Sequence, residues 1–194
     1  MEQYLKIIMS IEHSNTSAAE CANLYTLARN INKGCIVEIG SYHGRTSVAL
    51  ALAVQATGLS IPVYCIEPHD YSKGIFGHEF GSKDRVQFFR NMLKANVVET
   101  IRLVNLSSLE ASKAWDTSKP ISLLWIDGDH TYEGAKIDFD CWESFVPVGG
   151  IIAIHDTLPP FTGPKQIVDE ALASGRYQQI DQVERNAVLV KVKA

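Results

Sequence analysis

Asp127-Gly128-Asp129-His130 places two carboxylates and an imidazole within four residues, directly after the apolar run Ile121 to Ile126. A second apolar run, Ile151 to Ile154, ends in His155-Asp156. Groups at the ends of neighbouring strands converge on one crevice of an α/β sheet. There Asp127, Asp156 and one of the histidines would suit a divalent cation. Oxygen donors favour Mg²⁺, Ca²⁺ or Mn²⁺, and His155 moves the preference toward Mn²⁺ or another transition metal. Such a cation would hold a substrate hydroxyl and lower its pKa. His130 or Asp129 would then remove the proton.

A second set lies earlier in the chain, in Glu38-Ile39-Gly40-Ser41-Tyr42-His43-Gly44-Arg45-Thr46-Ser47. Gly40 permits a tight turn and Gly44 a close approach of backbone to a ligand. The helix that follows offers free N–H groups. A phosphate-gripping loop needs Lys after its last glycine, and here Arg45 stands there. A dinucleotide loop needs glycine at position 42, which is Tyr42. Glu38 would repel a pyrophosphate and welcome a cationic ligand. Glu67 ends the next strand, where a carboxylate can accept hydrogen bonds from both hydroxyls of a ribose, each worth roughly 1.5–3 kcal/mol.

The elements that must position these groups are legible in the hydropathy pattern. Cys35 to Ile39, Val63 to Ile66, Ile101 to Val104, Ile121 to Ile126 and Ile151 to Ile154 read as strands. The run at 121–126 is apolar on both faces and therefore central. Helices are expected at Ser17–Ile31, Thr46–Gln55, Asp84–Ala95, Leu109–Ala114, Tyr132–Phe145 and Lys165–Ala173. Glu20 stands at capping-box spacing from Ser17. Tyr177–Val183 and Ala187–Val192 form a hairpin around Arg185-Asn186. The expected fold is α/β: a Rossmann-like, doubly wound sheet of about seven strands, mostly parallel, closed by a C-terminal antiparallel hairpin. Residues 1–194 are expected to form one domain, with an N-terminal helical segment at 1–33.

The connection at 68–83 is long for such a fold and carries His69, Tyr71, Gly74, Ile75, Phe76, Gly77, His78, Phe80 and Gly81. It reads as a lid, with His69 and His78 on its surface. Residues 157–164, with Pro159-Pro160 and Phe161, would form the opposite wall. Residues 1–15 would fold over the site or join two copies in a homodimer.

The chain has 194 residues, 46% hydrophobic and 21% charged, with net charge −4. This is the composition of a folded globular chain rather than a disordered one. Mild acidity and scattered basic residues speak against nucleic acid as a partner. No apolar run approaches the ~18 residues of a membrane span. The start, Met1-Glu2-Gln3-Tyr4, lacks the basic and apolar regions of a secretion signal. Cys21, Cys35, Cys65 and Cys141 lie far apart and read as reduced thiols in a cytoplasmic protein.

Val37 to Gly44 followed by Cys65-Ile66-Glu67-Pro68 resembles the first two motifs of the class I S-adenosylmethionine-dependent methyltransferases. That cofactor is a sulfonium cation with an aminoacyl tail and a ribose. The resemblance implies that Gly40 and its neighbours Glu38, Ser41, Tyr42, Gly44 and Ser47 line the methionine moiety. It places Glu67, beside Pro68, on the ribose and Ser107 and Ser108 near the adenine. Asp127, Gly128 and His130 complete the expected cofactor contacts. Asp-Gly-Asp-His-x-Tyr-Glu-Gly and the later His-Asp are similar to the branch that methylates macrolide and aminocoumarin sugars. That similarity implies a divalent metal, Mg²⁺ or Mn²⁺, on Asp127, His155 and Asp156. The catalytic set is Asp127 with Asp129 or His130 as base. His155 departs from the branch, which usually has an acidic residue there. The expected activity is O-methylation of a small-molecule acceptor such as a sugar or natural-product scaffold. Two other readings stay open: a non-catalytic module that binds the cofactor, and a metal-dependent hydroxylase-like relative.

Overall fold

The computed structural model describes residues 2–12, 14–73, 77 and 79–194. The chain opens with helix α1 (Glu2–Met9) and helix α2 (Ala18–Arg29). Strand β1 (Cys35–Ile39), helix α3 (Arg45–Gln55) and strand β2 (Val63–Ile66) follow. After the short strands β3 (Ser72–Lys73) and β4 (Glu79–Phe80) come helix α4 (Ser82–Lys94), strand β5 (Ile101–Val104) and helix α5 (Ser108–Lys113). Strand β6 (Ile121–Ile126), helix α6 (Tyr132–Trp142), strand β7 (Ile151–Ile154) and helix α7 (Gly163–Ala173) complete the alternating part. The chain ends in strands β8 (Tyr177–Val183) and β9 (Asn186–Lys191).

Seven strands form one sheet in the order β5-β2-β1-β6-β7-β9-β8. The first five are parallel, and β9 lies antiparallel between β7 and β8. This is the expected topology. The order runs outward in both directions from β1 and β6, so the switch point lies between them. Ligands of such sheets bind outside the carboxyl ends of the strands at that point. All five residues of β1 are buried, as are five of six in β6, which fits the central place read from their apolar runs.

Side chains alternate between two apolar layers. Ile36, Val63, Leu123, Trp125 and Val188 face one layer with α1, α2 and α3, joined by Phe88 and Met92 of α4. Val37, Ile66, Leu124, Ile126 and Ile152 face the other with α6 and α7. Nine residues of α3 are buried; its Ala-rich run lets backbone approach both the sheet and α2. Ser17 caps α2 as the spacing predicts: its N–H donates to Glu20 Oε2 at 2.8 Å and its hydroxyl accepts from Glu20 N–H at 3.2 Å. α1 buries Ile8, and Ile11 is buried just beyond it. The link to α2 is stapled by Arg45, whose guanidinium donates to the carbonyls of Ile11, Ser14 and Thr16.

The structure adds the β3–β4 pair inside the 68–83 connection, and α4 begins earlier than expected, at Ser82. Gly74, Ile75, Phe76 and His78, part of the expected lid, lie outside the described residues. All four cysteines are free, three of them buried. Among the described residues no helix is long and apolar enough to cross a membrane.

Candidate functional site

The loop after β1 is shaped by backbone conformations that few residues adopt. Gly40 has φ +82°, and a Cβ there would stand 2.2 Å from the carbonyl oxygen of Asp127. Only glycine therefore lets this loop meet the loop after β6. Tyr42 holds φ +44° without being glycine, which costs roughly 1–2 kcal/mol. Its surroundings impose that conformation. Its N–H donates to Glu67 Oε2 at 3.0 Å, its carbonyl lies 2.9 Å from His69 Nε2, and its ring stacks on His43 at 3.8 Å. Helix α3 then starts at Arg45, with Gly44 at its N-cap and no side-chain cap.

Glu38 and Ser47 lie beneath the loop rather than on its surface. Both were expected against the cofactor, yet both are 0% exposed. The Glu38 carboxylate lies under the loop and accepts hydrogen bonds from the hydroxyls of Ser41 at 2.9 Å, Thr46 at 2.5 Å and Ser47. Burial pushes its pKa up, against the pull of those hydroxyls. With three hydroxyls bonded to it and no exposed surface, Glu38 braces the loop from beneath.

Glu67 stands at the loop's rim. Oε2 accepts from the N–H of Ser41 at 3.2 Å and of Tyr42 at 3.0 Å, and Oε1 accepts from the N–H of His69 at 3.1 Å. A carboxylate offers about four acceptor positions, so Glu67 is anchored and retains capacity. Asn105 Nδ2 donates to the carbonyls of Glu67 and Pro68 and fixes that strand end. Ser107 caps α5 in a capping box with Glu110. Ser108 accepts from Trp142 Nε1 at 3.0 Å. Both serines thus do turn and packing work at the third strand end.

The four residues of the His-Asp corner do come together. Asp127 Oδ1 lies 2.8 Å from His155 Nδ1 and 3.4 Å from His130 Nε2. Asp156 Oδ2 lies 3.0 Å from His130 Nε2 and 3.6 Å from His155 Nδ1. One donor atom from each of Asp127, His130, His155 and Asp156 lies within 4.8 Å of all the others. Asp156 takes φ +53°, the left-handed region, to aim its carboxylate here. Phe161, from the expected wall, packs its ring 4.7 Å from that of His130. Gly128 packs against α6: a Cβ there would meet Asp138 Oδ2 at 2.3 Å.

Charge decides what these groups can do. Burial opposes ionisation of Asp127, but the His155 charge and bonds from both histidines outweigh it and hold the carboxyl far below its usual range. Burial pulls the His130 pKa down, while Asp127 and Asp156 outweigh it and push it up to about 9. His155 is pushed up to about 10, with Asp127 and Glu20 overcoming burial. With no cation between them, both imidazoles hold protons at neutral pH. A protonated His130 has no lone pair with which to take one. Asp129 is exposed and its Oδ1 accepts from Thr131 N–H at 2.8 Å.

Two site residues were missed. Glu20 is 0% exposed; while one oxygen serves the α2 cap, Oε1 lies 3.3 Å from His155 Nε2 and accepts from Arg185 N–H at 3.0 Å. Arg185 Nη1 donates to Asp156 Oδ1 at 2.5 Å, and Nη2 donates to the Asn15 carbonyl at 2.6 Å. Nothing local in the sequence marks either beyond the capping box, because their partners are far along the chain. His69, expected on the lid surface, is instead 3% exposed against the glycine loop.

The chain is similar to known proteins in sequence and in fold. A family model described as a methyltransferase domain matches residues 37–157, more than half of the chain. The curated protein y4gI of Sinorhizobium fredii (strain NBRC 101917 / NGR234) is 26% identical over 126 residues, 63% of this chain. The matched region spans only 13% of that relative's own length. Three solved structures share the fold. The O-methyltransferase from Bacillus cereus in complex with SAH has a TM-score of 0.69 at 17% identity, covering 99% of this chain and 90% of the other. TomG from Streptomyces achromogenes, an O-methyltransferase of tomaymycin synthesis solved with SAM, scores 0.69 at 16% identity, with 100% and 89% covered. CalS11, a TDP-rhamnose 3'-O-methyltransferase of calicheamicin biosynthesis, scores 0.67 at 13% identity, with 97% and 91% covered.

Proposed function

The chain belongs to a methyltransferase-domain family, and on that premise we propose that it transfers the methyl group of S-adenosylmethionine to a hydroxyl of a small molecule. A sugar or natural-product scaffold is the favoured acceptor, as the similarity in fold to TomG and CalS11 suggests. The observation that carries the reading is the meeting of three features at one switch point. These are the Gly40 loop, the Glu67 carboxylate on its rim and the His-Asp corner, joined where Gly40 abuts Asp127.

The residues present fit the cofactor. Glu67 is oriented by three N–H groups, with about one acceptor position left for a ribose hydroxyl. The uncapped start of α3 suits the carboxylate of an aminoacyl tail. When bound, S-adenosylmethionine supplies an electrophilic methyl carbon for in-line attack, so holding the acceptor oxygen in line is the chain's main task. Phe161 and the 68–83 connection would screen the site from water.

The corner also fits a divalent metal. Glu20 occupies the far side of His155, which leaves Nδ1 turned toward Asp127 Oδ1. Asp127, His155 and Asp156 would hold the ion. A bound cation there supplies Lewis acidity that lowers the pKa of an acceptor hydroxyl. Either Asp129, which is exposed, or His130 once relieved of its own proton would receive the hydroxyl proton.

Calorimetry with S-adenosylmethionine and S-adenosylhomocysteine tests the cofactor, and transfer of labelled methyl to a panel of sugar nucleotides and polyphenols tests the acceptor. Both cofactor forms should bind, and Glu67→Ala should weaken binding by roughly tenfold or more, the loss of one charge-assisted bond. Absence of binding by either form would overturn the proposal.

A further inference from the structure

We propose that His130 is a metal ligand, the fourth in a site completed by Asp127, His155 and Asp156, and that the site takes a transition-metal dication rather than Mg²⁺. The inference deepens the metal part of the proposed function and rests on it to that extent. It changes the role of His130, which a base would need free and a ligand does not.

The geometry points there. Around the corner the donor atoms run Asp127 Oδ1, His155 Nδ1, Asp156 Oδ2, His130 Nε2 and back, at 2.8, 3.6, 3.0 and 3.4 Å. Four atoms with such edges share a centre about 2.0 Å away if the ring puckers to a tetrahedron and about 2.3 Å if it is flat, the range of metal–nitrogen and metal–oxygen bonds. Three donors without His130 would leave one corner of that ring, and the two edges that meet there, open.

Outer partners supply an independent reason. Glu20, fully buried, stands 3.3 Å from His155 Nε2, which has no hydrogen-bond partner of good geometry. A carboxylate on that side fixes the ring so that Nδ1 faces Asp127 Oδ1 at 2.8 Å, a separation that two donors on one ion also take. Arg185 likewise holds Asp156 Oδ1 and leaves Oδ2 turned into the ring. Carboxylate–histidine–metal chains of this kind fix ligand orientation, and losing the outer member typically costs roughly 10- to 100-fold in metal affinity. Two imidazoles among four donors favour Mn²⁺, Fe²⁺, Co²⁺ or Zn²⁺, because Mg²⁺ prefers oxygen and water.

The rival arrangement has no metal. Protons on both imidazoles, together with Arg185, would balance Asp127, Asp156 and Glu20. Titration of the chelator-treated full chain with Mn²⁺, followed by the EPR signal of the free ion, separates the two. One Mn²⁺ should bind in the micromolar range, and an excess of Mg²⁺ should not displace it. His130→Ala and the milder His130→Gln should each weaken binding by tenfold or more, and Glu20→Gln by roughly 10- to 100-fold. Melting curves without metal confirm that each variant is folded. No saturable Mn²⁺ binding, or binding undiminished in both His130 variants, would overturn the inference. S-adenosylhomocysteine calorimetry on the same samples keeps the outcomes distinct. Cofactor binding without Mn²⁺ binding rejects the metal site alone, and the reverse rejects the methyltransferase reading alone.

Discussion

Replacing Glu38 should unfold the loop after β1 by removing the acceptor beneath it. In Glu38→Ala the hydroxyls of Ser41, Thr46 and Ser47 lose their common acceptor in a place that water does not reach. A buried donor left unpaired costs roughly 1–3 kcal/mol. Hydroxyls rotate and some will find a carbonyl, so the loss should come to about 3–6 kcal/mol. For a chain of this length each kcal/mol moves Tm by about 2–4 °C, which gives a fall of about 6–24 °C. Glu38→Gln keeps an acceptor oxygen and the volume, and should lose far less. The pH dependence carries a second check. Burial raises the Glu38 pKa, so the folded chain holds this proton more tightly than the unfolded one. As pH rises through the carboxylate range, the wild type therefore loses stability that Glu38→Gln does not lose. Thermal melts and urea titrations from mildly acidic to mildly alkaline pH should show the gap between the two proteins narrowing or reversing. A Glu38→Ala protein that melts within about 2 °C of wild type, a shift worth under 1 kcal/mol, would refute the bracing role.

Other outcomes follow from groups near the site and the hairpin. Asp138 is pushed up to about 6 by burial and by the nearby Asp129 charge, against bonds from Ser108 and the Asp129 backbone. A raised carboxyl pKa means that stability falls as pH climbs from about 4 to about 6, by on the order of 3 kcal/mol. Asp138→Asn should flatten that slope in urea titrations, and an unchanged slope would show that another group sets it. Glu143 accepts from Tyr177 at 2.5 Å and from Arg176 and Lys191 at 2.9 Å each, and these bonds outweigh burial and pull it down to about 2. Its contribution is present above the ordinary carboxylate range and is lost as pH falls toward that value. Glu143→Gln should therefore cost roughly 1–3 kcal/mol near neutrality and little near pH 2, and a deficit that persists in acid would contradict the ionic origin.

Local signals were enough for much of the molecule. Largely apolar runs of four to six residues marked the five parallel strands of the main sheet, because strands covered on both faces are mostly apolar. Ser17 and Glu20 marked the start of α2, because a capping box is complete within four residues. The glycines at 40 and 44 marked the loop, since positive φ is a property of a single residue. The β3–β4 pair was not legible: two-residue strands carry too little periodicity to detect.

Residue types and their order along the chain determined the fold class, the switch point and the list of chemical groups at its edge. Burial and long-range pairing decided what each group does there, and only the tertiary structure shows them. Glu38 and Glu67 are both strand-end carboxylates, and the sequence gives no means of telling brace from rim; one is covered by three hydroxyls and the other is turned outward by three N–H groups. Glu20 and Arg185 entered the corner from 135 residues before His155 and 29 residues after Asp156. Their effect is electrostatic, and in a buried site it depends on distances of about 3 Å that no spacing in the sequence encodes.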